Sequence, residues 1–99
     1  DAVIMDPPSY GRGPKGEIWK LEDELPKLLE LTSQVLVDDP LFVLVNSYTT
    51  GFSHISLSNM MKIVFKKFDA SFSSGEIGLP IGEGDLILPC GIYARMENK

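Results

Sequence analysis

The 99-residue chain has a single cysteine, Cys90, and a single histidine, His54. One thiol cannot close an internal disulfide, and one Cys with one His cannot assemble a structural zinc site. No metal centre is therefore expected. Positive charge is also scarce: nine Lys and Arg face fourteen Asp and Glu, for a net charge of -5 and a pI near 4.7. That balance argues against a free-standing nucleic-acid-binding module, which carries a basic face. It leaves room for a catalytic segment whose nucleic-acid-binding surface lies elsewhere. No apolar run approaches the roughly 20 residues of a membrane helix, and the N-terminus has no signal-peptide pattern. The expected compartment is the cytoplasm, with no membrane partner. Internal repeats and low-complexity tracts are lacking as well.

Against these absences stands a composition that is 43% hydrophobic, too apolar for a disordered tail. The length suits one small domain, residues 1–99, and not two. Ala2-Val3-Ile4-Met5 follows directly on Asp1, and four consecutive apolar residues read as a strand buried on both faces of a parallel sheet. Such a strand needs neighbours, so the chain is expected to be a piece of a longer protein. On its own it should leave residues 1–6 as an exposed edge and self-associate through them.

Residues 7–20 read as a loop rich in Pro and Gly. A helix is predicted over 22–36, with Leu25, Leu28, Leu29, Thr32, Val35 and Leu36 on its apolar face. Glu22, Asp23 and Glu24 favour its N-terminal dipole end. Pro26 is tolerated in a first turn, which sets the helix start near Asp23. After a turn at Asp38-Asp39-Pro40, Leu41–Val45 reads as a second buried strand ending near Ser47, and Thr49-Thr50-Gly51 as a loop. A second helix is predicted over 56–68, with the stripe Leu57, Met60, Met61, Val64, Phe65 and Phe68. Strands follow over 70–79 and 86–96 around a Gly82-Glu83-Gly84-Asp85 turn. Pro89 predicts a break or bulge, because proline cannot donate to a ladder. The order strand–helix–strand–helix–strand–strand implies an α/β fold: two right-handed parallel crossovers, then an antiparallel pair.

A polar loop after a buried parallel strand sits at the carboxyl edge of the sheet, where open α/β sheets bind ligands. Here that loop opens with Asp6-Pro7-Pro8-Ser9-Tyr10. The Asp6 carboxylate can accept a hydrogen bond from an amino or ring N–H. Pro7 and Pro8 stiffen the loop and turn a backbone carbonyl to the same group. The Tyr10 ring can stack on a flipped base or simply pack in the loop. Arg12, Lys15 and Lys20 either contact phosphates or belong to a solvated loop. Asn46, Ser47 and Tyr48 should lie beside Asp6, since sequential parallel strands usually neighbour each other. Gly11-Arg12-Gly13-Pro14-Lys15-Gly16 spells G-x-G-x-x-G, but a dinucleotide fingerprint must open a helix directly, and here prolines intervene. Trp19 is expected to anchor the loop, His54 to be structural or solvent-facing, and Cys90 to be a small buried hydrophobe. The Met60-Met61 stripe reads as core.

The run from Asp1 to Trp19 resembles motif IV and its downstream loop in class I S-adenosylmethionine-dependent methyltransferases, and is similar to bacterial large-subunit ribosomal RNA methyltransferases. Leu88-Pro89-Cys90-Gly91-Ile92-Tyr93-Ala94-Arg95 resembles that family's closing strand. The resemblance implies the C-terminal half of a Rossmann-like catalytic domain, whose strands here would be the fourth to seventh of a seven-stranded sheet. It also implies adenosylmethionine as cofactor, RNA as substrate, and catalytic roles for Asp6, Pro7, Pro8 and Tyr10. Ser9, Arg12, Lys15, Asn46, Ser47 and Tyr48 would bind substrate. The family's glycine-rich cofactor loop follows its first strand, which this chain lacks, so the chain alone should be inactive. Members that methylate cytosine at ring carbon 5 place a Cys nucleophile after the fifth strand. Val45-Asn46-Ser47-Tyr48-Thr49 has none, which favours transfer to a ring or amino nitrogen. Methylation of a protein or small molecule, a non-catalytic α/β module and, more distantly, a Rossmann oxidoreductase are the competing readings.

Overall fold

The computed structural model describes residues 1–49 and 51–99; Thr50, within the expected loop, lies outside them. Among the described residues eight elements follow one another: β1 (Ala2–Met5), β2 (Tyr10–Arg12), β3 (Ile18–Lys20), α1 (Leu21–Val35), β4 (Phe42–Ser47), α2 (His54–Val64), β5 (Ala70–Pro80) and β6 (Ile87–Asn98). The main sheet has four strands in the order β1-β4-β6-β5. β1 and β4 pair in parallel, and β6 runs antiparallel to both β4 and β5.

β4 and β5 are parallel but not neighbours, because β6 returns from the β5 hairpin and inserts between them. The burial pattern gives the reason. Ala94 and Met96 of β6 are buried, whereas β5 alternates exposed Ser71 and Ser73 with half-buried Phe72 and Ser74. A strand with one wet face tolerates the sheet edge. The break expected at Pro89 is present: Ile77 faces Gly91 and Gly78 faces Pro89, so Cys90 is the extra residue of a bulge. β1 is not buried on both faces. It pairs with β4 alone, and Ile4 is 65% exposed.

Both helices cover one face of the sheet. Leu21, Leu25 and Leu29 of α1 and Leu57 and Met61 of α2 pack with Phe65 on Val43, Val45, Ala94 and Met96. α1 starts at Leu21, earlier than the sequence suggests, since Leu21 itself is buried against the core. Pro26 therefore stands in the second turn and withholds a hydrogen bond from the Glu22 carbonyl. Val35 faces water despite its place in the apolar pattern. α2 begins at His54 because Ser53 caps it: the Ser53 hydroxyl accepts from the Ile55 N–H at 3.1 Å. It ends at Val64, short of the expected Phe68, which a turn brings against the core instead.

Residues 7–20 are not a plain loop. Tyr10–Arg12 and Ile18–Lys20 form an antiparallel hairpin. Its turn is closed by Gly13 N–H on the Glu17 carbonyl (2.8 Å) and Gly16 N–H on the Gly13 carbonyl (3.1 Å). Gly16 has φ +84°, a conformation that favours glycine.

Candidate functional site

β1 and β4 end together at the carboxyl edge of the sheet. Their register sets Met5 beside Val45, so Asp6 emerges level with Asn46. Asp6 is exposed, Pro7 half-buried and Pro8 exposed.

The Asp6–Tyr10 segment is held from both sides. On one side the Trp19 indole N–H donates to the Pro8 carbonyl at 2.6 Å, and the Leu21 N–H donates to the Ser9 carbonyl at 3.1 Å. Trp19 is half-buried against the core, so it anchors the loop as its residue type suggested. On the other side the Ser9 and Thr49 hydroxyls lie 2.7 Å apart, and Ser47 Oγ donates to Thr49 Oγ1 at 3.2 Å. Ser47 is 2% exposed. This chain of hydroxyls ties the loop after β1 to the end of β4, as a stiff loop at a ligand-binding edge requires.

Of the residues singled out in the sequence, Asp6, Ser9, Asn46 and Ser47 come together at this edge. Tyr48 is 72% exposed beside it. Tyr10 and Arg12 pair with each other, the Arg12 Nε donating to the Tyr10 hydroxyl at 3.1 Å, and the Tyr10 ring is 52% exposed. Lys15 lies in the hairpin turn, at the end away from Tyr10, with its backbone N–H on the Glu17 carboxylate at 3.1 Å. It is not part of the cluster. Thr49 was missed as a site residue. The run of hydroxyl residues after a buried strand was its signal, but a contact forty residues away in sequence has no local signature.

Gly91 shapes the edge from behind. It lies in the β6 bulge with φ +130°, and a Cβ there would meet the Ser47 carbonyl oxygen at 2.5 Å. Its bareness lets β6 close onto the end of β4. Cys90, expected to be buried, is half-exposed on the bulge, and its thiol donates to the Leu88 carbonyl at 3.2 Å. His54 is structural, bonded through Nδ1 to Ser74 Oγ at 2.9 Å.

No family model matches the chain, and neither does any curated protein. Among solved structures it is similar to the SAM-dependent methyltransferase from Agrobacterium tumefaciens, with a TM-score of 0.90 and 27% identity over 100% of this chain. The chain spans 33% of the length of that protein.

Proposed function

We propose that the chain is the methyl-acceptor side of a SAM-dependent methyltransferase, the kind of protein whose fold it is similar to, with Asp6 as the group that receives the acceptor. The observation behind this is an exposed carboxylate at a parallel-sheet edge, on a loop clamped by Trp19 and by the Ser9–Thr49–Ser47 hydroxyls. Positioning is the main demand of methyl transfer, because in-line displacement needs near-attack geometry, worth up to about 7–11 kcal/mol. Asp6 accepts a hydrogen bond from the acceptor's N–H. Since Trp19 engages the Pro8 carbonyl, the backbone acceptor role passes to Pro7. Tyr10 offers a ring for stacking.

Adenosylmethionine is the proposed cofactor and supplies the methyl group when bound. The residues present do not form its cradle. The glycine-rich hairpin turn uses the amides of Gly13, Lys15 and Gly16 internally, so it offers no nest for a nucleoside. The cofactor-holding residues belong outside these elements.

RNA, ribosomal RNA in particular, is the proposed substrate, with a ring or amino nitrogen as the acceptor. Arg12 and Lys15, both exposed on the hairpin, are the proposed phosphate contacts. Protein or small-molecule methylation is the second reading, favoured by the net charge of -5.

The test is methyl transfer by the intact protein to undermethylated ribosomal RNA beside a panel of proteins and small molecules. Asp6→Ala should lower turnover at least about a hundredfold, the lower range for losing a positioned catalytic group, while adenosylmethionine binding persists. Full turnover in Asp6→Ala would remove Asp6 from the site. Transfer to the other substrates but not to RNA would select the second reading.

A further inference from the structure

The β5–β6 hairpin runs past the carboxyl end of the sheet. Ser47, the last residue of β4, lies beside Ile92, and Ile92 lies beside Glu76. From Ile77 to Gly91 the hairpin is therefore a two-stranded arm without a third strand alongside. On it Leu79, Ile81, Leu86, Ile87 and Leu88 are 46–69% exposed. Leu79 faces Leu88 and Pro80 faces Ile87, so both faces of the arm are apolar. A two-stranded ribbon is marginal by itself in water, and bare apolar side chains on it call for a cover.

Two further observations say what kind of cover. Residues 70–94 contain no Lys, Arg or His and carry three acids, Glu76, Glu83 and Asp85. Such an arm repels phosphates, which disfavours nucleic acid and anionic lipid as the cover. In addition, β5 is the outermost strand over all eleven residues from Ala70 to Pro80. Edge strands are ordinarily protected by lysines or other inward charges; here Glu76 is the one charged residue.

We propose that this edge pairs with β5 of a second copy of the chain, antiparallel and about a two-fold axis, joining two four-stranded sheets into one. A two-fold contact needs a strand compatible with itself. In β5, only the register centred on Glu76 sets two residues of like charge in the strand directly opposite; any other register that pairs Glu76 within β5 leaves that carboxylate facing an uncharged residue. The β1 edge, which the sequence reading favoured for self-association, is poorer. It offers four residues, and Asp1 and Asp6 flank it. Antiparallel self-pairing there brings Asp1 of each copy close to Asp6 of the other.

An eleven-residue edge is about 35 Å long. With the arm side chains it makes an interface toward the small end for specific complexes, and the dimer is expected to be reversible.

The experiment is sedimentation velocity on the intact protein from about 1 μM to about 1 mM, with circular dichroism to check each variant's fold. A monomer–dimer equilibrium is expected. Leu79→Lys should weaken it at least tenfold. Ser73→Lys, exposed on the body of the sheet, should do the same and stands in if Leu79→Lys disturbs the arm. Ile4→Lys should leave the equilibrium unchanged. A monomer throughout, a dimer indifferent to both β5 substitutions, or a dimer lost in Ile4→Lys would each overturn the proposal.

Discussion

Replacing Gly91 by alanine tests the construction of the site directly. Two costs arise together. The residue sits at φ +130°, where an L side chain is strained, and such positions cost about 1–3 kcal/mol. The new Cβ would also lie 2.5 Å from the Ser47 carbonyl oxygen and 3.4 Å from the Tyr48 ring. The first of these neighbours is backbone and cannot swing away. Forcing β6 off β4 by several tenths of an ångström is comparable to overpacking, about 1–3 kcal/mol. The sum is about 2–6 kcal/mol, a large share of a domain's stability. Gly84 supplies the control, with φ +112° and nothing within 4 Å of its added Cβ. Gly84→Ala carries the backbone cost alone. Urea unfolding of both variants should show Gly91→Ala less stable than Gly84→Ala by at least about 1 kcal/mol, the low end of the overpacking range. On the proposed function, Gly91→Ala should also raise KM for the methyl acceptor, because the displaced Ser47 carries Thr49 and Ser9 with it. Equal stability for the two alanine variants would refute the close approach of β6 to Ser47.

Three other substitutions probe separate links. Pro26→Ala restores a donor for the Glu22 carbonyl in the second turn of α1; it should stabilise the protein by about 2 kcal/mol, the helix gain less the unfolded-state entropy that Pro had removed, and a loss in thermal denaturation would contradict the helix start at Leu21. Trp19→Phe keeps an aromatic ring but removes the N–H held by the Pro8 carbonyl. It should cost about 1 kcal/mol and lower kcat for methyl transfer more than it changes cofactor affinity, which calorimetry and steady-state kinetics separate. Arg12→Ala and Lys15→Ala, if their side chains reach RNA phosphates, should each reduce the salt dependence of RNA binding by about one unit of slope; unchanged slopes would leave them as solvated hairpin residues.

Local pattern determined much of this protein. The apolar runs at 2–5 and 41–45 became parallel strands, the three-to-four spacing became two helices, and Pro89 announced the bulge. Asp6-Pro7-Pro8 at the carboxyl edge was legible because a polar loop after a buried strand has one place to go in an α/β sheet. These signals depend on neighbours within about one or two turns of chain, which a sequence displays. Strand order does not. The insertion of β6 between β4 and β5, and the exposure of β1, Val35 and Cys90, followed from which surfaces found partners far away in the chain. The hairpin at 10–20 hid behind its glycines and prolines, since two three-residue strands carry too little periodicity to register. The clamp on the loop is likewise tertiary. Trp19 was marked as an anchor by type, but only the folded chain sets its indole on the Pro8 carbonyl and sets Thr49 on Ser9, because hydrogen bonds between segments need both segments in place first.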